Sequence, residues 1–314
     1  MVDVVSFGEP LVEFCATEVG QLKDVYMFRR GWGGDTSNFI VTVARLGRKA
    51  GYICRIGDDE FGKSFLELWQ KEGVDTSQVL IERGGFTGVY FISLLPGGKH
   101  DFVYFRKDSA ASHYSPMDLN PDYLSKSKIF HSSGISMAIS TSCRETVFKA
   151  ASIVKENGGL FSFDINFRPK LWTREYAKPF IEQAIRKSDI LFMSEEDANL
   201  LYGETTDKVV ERIRKVTENA VIVIKLGAEG CVIYDSGRRS GIKIPGFKVD
   251  VVDTTGAGDA FDGAFIVALL EGKSLEDAGI FANATGALTT TGFGAVTPIP
   301  KRKEVENFLK RSTP

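Results

Sequence analysis

Cysteine is scarce in this chain. Four occur in 314 residues, and Cys15, Cys54, Cys143 and Cys231 stand far apart without a C-x-x-C pair. That spacing offers neither a disulfide framework nor a thiolate metal site, so buried free thiols are the expectation. Histidine is scarcer still, and His100, His113 and His131 show no ligand spacing. Excess charge is also missing: 39 Lys and Arg face 41 Asp and Glu. No net field would therefore hold the chain on nucleic acid or an anionic membrane, although a local basic cleft stays open. No apolar run approaches the length of a membrane span. The opening "MVDVVSFGEP" carries Asp3 and Glu9 and no basic flank, so it reads as a first strand rather than a signal peptide, and a cytoplasmic location is expected.

What is present is the composition of a globular protein, 43% hydrophobic and 25% charged. The length suits one large α/β unit, or such a unit with a smaller insertion. Short apolar stretches recur, among them "VDVVSFG", "KIFHSSGI", "DILFMS" and "AVIVIKLG". Between them lie segments of helical period, such as Phe39, Ile40, Val43, Ala44 and Leu46, closed by Gly47. Strands alternating with helices predict a mostly parallel sheet covered by helices on both faces, with ligands beyond the carboxyl ends of its strands. One region breaks the rhythm. "TGVYFISLLPGGKHDFVYFRKDS" reads as a hairpin around the turn Pro96–Lys99, and with the early stretch after Pro10 it predicts a small separate sheet from two discontinuous segments. Alternation puts Tyr90, Ile92 and Leu94 on one face of one arm, and Phe102, Tyr104 and Arg106 on one face of the other. This is an aromatic packing face with an arginine rim, or a polar binding face.

The segment "DTTGAGDAFDGAFI", Asp253 to Ile266, sets Gly256, Ala257 and Gly258 directly before Asp259 at a predicted helix start. Such a turn lets backbone N–H groups approach an anion, and the helix dipole favours negative charge there. Two known phosphate motifs are absent: there is no G-x-x-x-x-G-K-[ST], and Phe261 stands where a dinucleotide fingerprint needs its third glycine. The pattern is an anion hole with a carboxylate on its edge. Asp259 reads equally as a base for an attacking hydroxyl or as a helix-stabilising acid.

These residues resemble the PfkB or ribokinase family of small-molecule kinases, whose C-terminal signature has the form D-T-x-G-A-G-D. The family's second signature, a Gly-Gly pair opening a helix with Asn a few residues on, matches Gly33, Gly34 and Asn38. "RIGDDEFGK" and "VIVIKLGAEGCVIY" extend the resemblance over nearly the whole chain. Within the family, "FGEPLVEF", "GGDTSN", "SGISMAIS" and "FDINFRPKLW" look most like 2-keto-3-deoxygluconate kinases. The resemblance implies a ribokinase-like three-layer α/β/α core in a single domain, with a β-sheet lid from residues about 11–34 and 86–108. It implies Asp259 as the catalytic base beside the amides of Gly256, Ala257 and Gly258. Gly34, Asn38, Tyr90, Tyr104, Arg106 and Arg168 would bind the sugar, and Asn166, Ser194, Lys225, Gly227, Gly230 and Asn283 the ATP. Arg168 is assigned equally to substrate or to ATP. Mg²⁺ is expected with ATP because charge between the β and γ phosphates must be neutralised. Asp253 and Thr255 match the place of a monovalent cation such as K⁺, and pairing of two copies through the lid is consistent with relatives.

A guanidinium fork suits a carboxylate, so Arg106 and Arg168 favour a sugar acid, 2-keto-3-deoxygluconate foremost. Fructose, another sugar or a nucleoside is the alternative within the same chemistry. A sugar-responsive binding protein without turnover and a nicotinamide oxidoreductase are readings of other classes. The chain also departs from the family pattern. The N-x-x-E element appears as Ser194-Glu195-Glu196-Asp197, and "TTGFGAVTPIP" lacks the acid that some relatives place there for substrate.

Overall fold

The computed structural model describes residues 2–96, 99–217, 219–235, 237 and 240–312. Gly97 and Gly98 of the predicted hairpin turn lie outside them. In chain order the strands are β1 (Val4–Phe7), β2 (Leu11–Val19), β3 (Phe28–Gly33), β4 (Ala50–Gly57), β5 (Asp75–Glu82), β6 (Val89–Leu95) and β7 (Lys99–Phe105). There follow β8 (Ile129–Ser133), β9 (Leu160–Asp164), β10 (Ile190–Ser194), β11 (Val221–Lys225), β12 (Gly230–Tyr234) and β13 (Ile242–Pro245).

Nine strands form the main sheet in the order β13-β12-β11-β10-β9-β8-β1-β4-β5. It is parallel from β11 to β5, and β12 and β13 add antiparallel to one edge. Strands covered on both faces need apolar residues at nearly every position, which "ILFMS" and "VIVIK" supply. Phe192 packs in the apolar core of one face, with Phe39, Trp69 and Phe265, whereas its neighbours Leu191 and Met193 pack in the other, with Phe130 and Phe163. Helices Asp35–Arg45, Glu60–Lys71 and Ala257–Leu270 cover the first face, and Thr141–Glu156 and Arg174–Lys187 the second. The result is a ribokinase-like α/β/α sandwich.

From β1 the chain builds toward β4 and β5 on one side, and from β8 onward on the other. The strand order therefore reverses between β1 and β8, and a crevice opens beyond their carboxyl ends. Ser133, Asp164, Ser194 and Lys225 each end a strand at that edge. Arg45 ties the Asp35 helix to Glu72 and to the segment that precedes the C-terminal helix Arg302–Arg311. It donates to both carboxylate oxygens of Glu72 at 3.0 and 2.8 Å, and to the carbonyls of Val296 and Ile299 at 2.9 and 2.6 Å.

Four strands form the small lid sheet, β3-β2-β6-β7, in which β2 and β6 run parallel. Tyr90 lies opposite Tyr104 and Ile92 opposite Phe102, so the two faces read separately from the sequence are one face. Both lid edges touch the core. Lys170 pairs with Asp101 and donates to the Phe102 carbonyl at 3.0 Å, and the Arg29 guanidinium lies 4.5 Å over the ring of Phe293.

Candidate active site

Gly256 caps the Ala257–Leu270 helix with φ of 77°, in the left-handed region. A Cβ there would come within 2.7 Å of the Ala295 carbonyl, so both conformation and space demand glycine. No side chain caps this helix, which leaves the amides of its first turn for an anion.

Asp259 stands on one side of that turn. Its Oδ2 accepts a hydrogen bond from Asn38 Nδ2 at 2.8 Å, joining two helices 221 residues apart in sequence. The Asn38 Oδ1 is buried without a partner, which suits it to a substrate hydroxyl. Close by, the Asp35 carboxylate accepts from Thr36 N at 2.9 Å, from Ser133 Oγ, and from Asn166 Nδ2 at 3.2 Å. Asn166 has φ of 36°, an uncommon conformation for a residue with a side chain. Burial foremost, and then the charge of Asp35, pushes the Asp259 carboxyl up to about 8, against the Asn38 hydrogen bond and the Lys225 charge. Only the ionised form accepts a proton, so kcat/KM should fall as pH drops below that value. Asp35→Asn removes the second cause, so the acid limb of a kcat/KM profile should move to lower pH. An unmoved limb would show that Asp35 does not set it.

On the other side of the same turn lies a cavity of about 690 Å³, lined by Lys225, Gly227, Phe247, Asn283, Ala257 and Gly258 among others. Its largely apolar walls suit a planar base, and Ala257 and Gly258 bring the helix start into its lining. Asn283 lines it while donating to the Ile244 and Pro245 carbonyls at 3.2 and 3.1 Å, which also fixes the end of β13. Gly230 lies here too, packed against the Ile244 carbonyl. The anion hole thus separates a nucleotide-sized cavity from a crevice holding a carboxylate.

The lid forms the roof of the crevice. Tyr90 Oη donates to Glu13 Oε2 at 2.6 Å, and a Cβ on Gly33 would meet the same Tyr90 ring. Burial foremost, with Asp253 adding to it, pushes the Glu13 carboxyl up to about 7 against the Tyr90 hydrogen bond. Its Oε1 lies 3.3 Å from where a Cβ of Gly294 would be, inside the "TTGFGAVTPIP" segment that carries no acid of its own. Arg106 is buried in an ion pair with Glu9, which also accepts from Ser109 Oγ. The sequence alone credits Arg106 with a free charge, but Glu9 offsets it. Arg168 differs. Its Nη1 reaches the Phe167 carbonyl at 3.4 Å, it is close enough to Tyr104 to act on its ionisation, and no ion pair engages it among the described residues.

Two further sequence assignments have other partners. Ser194 and Asp197 form a capping box: Asp197 Oδ2 accepts from Ser194 N and Oγ at 2.8 and 2.6 Å, and Oδ1 from Phe167 N at 2.7 Å. Those oxygens hold a turn and the strand exit beside it. Asp253 Oδ1 accepts from Thr255 N and Oγ1 at 2.9 and 2.7 Å, and Oδ2 from Gly294 N at 2.9 Å, which pins the anion-hole loop to the segment under the lid. Asn166 lies with Asp35 on the Asp259 side, and it is not among the residues that line the large cavity. Among the described residues no three His, Cys, Asp or Glu side chains cluster to hold a metal ion, and no helix is long and apolar enough to cross a membrane. His131 is stacked on Phe39 in the core, where burial pushes it down to about 3.

A Rossmann-like sheet with a β lid, and an anion hole between cavity and carboxylate, defines a phosphotransferase for small alcohols. The family model described as pfkB family carbohydrate kinase matches residues 1–302, and the chain belongs to that family of ATP-dependent sugar kinases. Fructokinase-1 of Oryza sativa subsp. japonica is 36% identical over 318 residues, 98% of this chain and 97% of the relative. A candidate Ribokinase II from E. coli, solved in complex with ATP and Mg²⁺, superposes with a TM-score of 0.90 at 29% identity, covering 99% of this chain and all of that one. A 2-dehydro-3-deoxygluconokinase from Thermotoga maritima gives a TM-score of 0.88 over 99% of this chain and 100% of its own, but at 24% identity it shares the fold alone. The preference for keto-deoxy acid kinases read from short segments is therefore not carried by the whole chain, whose curated relatives include fructokinases at about a third identity.

Glu9, Glu13, Asp35, Asp164 and Asp262 all stand inside segments quoted above but receive no role there. Asp262 also lies three residues after Asp259 and so on the same helix face.

Proposed function

We propose that the chain transfers the γ-phosphoryl group of ATP to a hydroxyl of a neutral ketohexose, fructose foremost. The observation that carries this reading is the acidic lining of the crevice. Arg106 is already paired with Glu9, whereas Glu13, Asp35 and Asp259 all face the space between lid and anion hole. A substrate carboxylate would meet three acids there, and sugar hydroxyls would find acceptors. The relatives named fructokinase support the same choice.

In this reading Asp259 takes the hydroxyl proton and the amides of Gly256, Ala257 and Gly258 stabilise the transferring charge. Gly34, Asn38, Tyr90 and Tyr104 hold the sugar against the backbone and beneath the lid. Lys225, Gly227, Gly230 and Asn283 surround the nucleotide. Mg²⁺ would arrive with ATP, held mainly by phosphates and water. Among the described residues no acidic cage stands ready for it. Asp253 Oδ2 accepts a single hydrogen bond and keeps a lone pair, so a K⁺ ion would fit beside it, and replacing K⁺ by Na⁺ would lower the rate.

One observation favours a second reading. Arg168, which no ion pair engages among the described residues, lies near Tyr104 and could receive the carboxylate of 2-keto-3-deoxygluconate. ADP release measured over fructose, other hexoses, ribose, nucleosides and 2-keto-3-deoxygluconate decides between them. Fructose should give the highest kcat/KM, and a tenfold preference for the acid would overturn the proposal. Arg106→Gln sharpens the test. For a neutral substrate it should lower the melting temperature, because Glu9 loses its partner, without changing the order of substrates. Selective loss of acid turnover would favour the second reading.

A further inference from the structure

Beneath the anion hole lies a buried ion triple that no motif of the chain announces. Lys225 Nζ, at the end of β11, donates to Asp164 Oδ2 at 2.9 Å and to Asp262 Oδ1 and Oδ2 at 3.1 and 3.0 Å. The Lys225 side chain is 15% exposed, those of Asp164 and Asp262 5% and 1%. Asp164 ends β9, and Asp262 lies one turn beyond Asp259 on the same helix.

Such a group is a poor way to stabilise a fold. Desolvating three charges costs more than their attraction commonly returns, and apolar residues of similar volume often do as well. Position offers a better reason. The ammonium lies 3.5 Å from where a Cβ on Gly258 would stand, so it faces the floor of the anion hole, and it also lines the nucleotide cavity. Lys225 is the one cation in the triple: burial foremost pushes the Asp262 carboxyl up against the Lys225 charge, and Asp259 adds negative charge when ionised. Phosphate would be repelled from this place unless the cation stood between it and the acids. An ammonium has three N–H donors. One directed between the oxygens of Asp262 and one to Asp164 leave the third for a ligand. Burial alone would lower the Lys225 pKa, but the two carboxylates raise it, so the cation persists.

We propose that Lys225 contacts the transferring phosphoryl group from below the anion hole, and that Asp262 is the positioning residue that holds it there, with Asp164 as second anchor. In the step itself, the bond from the γ-phosphorus to the bridging oxygen breaks and ADP leaves with that electron pair. The bond from the substrate oxygen to phosphorus forms, and the hydroxyl proton passes to Asp259. Lys225 neither gives nor takes a proton, and it offsets charge on the equatorial oxygens.

The inference rests on ATP-dependent phosphoryl transfer and not on fructose, so the assay uses whichever sugar the wild-type enzyme turns over best. If fructose fails while another sugar is phosphorylated, only the substrate proposal falls. Lys225→Met alone strands two buried carboxylates, so the decisive variant is Lys225→Met with Asp262→Leu, which removes the cation and one anion together. Its kcat should fall about 10²-fold with the sugar KM unchanged. Asp262→Asn keeps the ammonium and the packing but loosens its hold. Its kcat should fall about tenfold, Asp262→Glu should recover part of that loss, and a melting-temperature change alone would not reproduce this pattern. A folded double variant with kcat within threefold of wild type would overturn the role of Lys225. Should the double variant fail to fold, Asp262→Asn with unchanged kcat would overturn the proposal.

Discussion

Asp259→Asn should lower kcat by about 10²- to 10⁴-fold while ATP and sugar still bind. The amide has the shape of the carboxylate, and its oxygen can still accept the Asn38 hydrogen bond, so the helix contact that organises the crevice survives. In the proposed mechanism, what disappears is the carboxylate that takes the proton as the sugar oxygen attacks. The sequence leaves room for a plain helix-stabilising role, and the structure bears on the choice. Asp259 is in the first turn, where its charge suits the dipole, yet its recorded hydrogen bond goes to another helix and not to its own backbone. A dipole role is worth about 0.3–1 kcal/mol and would appear as a lower melting temperature with kcat retained. Steady-state ADP release and thermal melting on the same preparation distinguish these outcomes. Retention of kcat within a factor of ten would remove Asp259 from the chemistry.

Much of the fold is legible because its causes are local. Apolar strands such as "VIVIK" and the Gly-punctuated helices announce a parallel sheet through composition and period alone. The anion hole is legible for the same reason: Gly256, Ala257, Gly258 and Asp259 are contiguous, and their conformation follows from having little side chain. What the sequence conceals is pairing across distance. Glu9 lies nearly a hundred residues from Arg106, and nothing near either shows that one cancels the charge of the other. That hidden contact changes the inferred substrate from acid to neutral sugar. Glu13 is concealed in another way. In β2 it reads as an ordinary alternating polar residue, and only the lid's closure over Gly294 turns it inward. Asp197, which stands where the family's N-x-x-E element ends, serves as a capping-box acid, a contact that the departure from that element does not announce.

Gly34→Ala should lower kcat/KM for the sugar by about 10²- to 10³-fold, with Gly47→Ala as its control. Both glycines occupy the left-handed region, with φ of 95° and 91°, so an added methyl strains either backbone by about 1–3 kcal/mol. Their surroundings differ. Nothing lies within 4 Å of a Cβ on Gly47, whereas one on Gly34 would meet the Glu9 carbonyl oxygen at 2.4 Å, Pro10 Cα at 3.0 Å and Leu11 N at 3.2 Å. All three are main-chain atoms, so no side-chain rotation relieves the clash, and the start of the Asp35 helix must move. Asn38 moves with it, because its N–H is bonded to the Gly34 carbonyl at 2.8 Å, and Asn38 in turn orients Asp259. Displacement at the glycine is therefore passed to the base through one helical turn and one hydrogen bond. Both variants should melt lower, but Gly47→Ala should keep wild-type kcat/KM below its melting transition. If Gly47→Ala were impaired as much as Gly34→Ala, backbone strain in the Asp35 helix, and not the fit of the sugar against Gly34, would account for the loss.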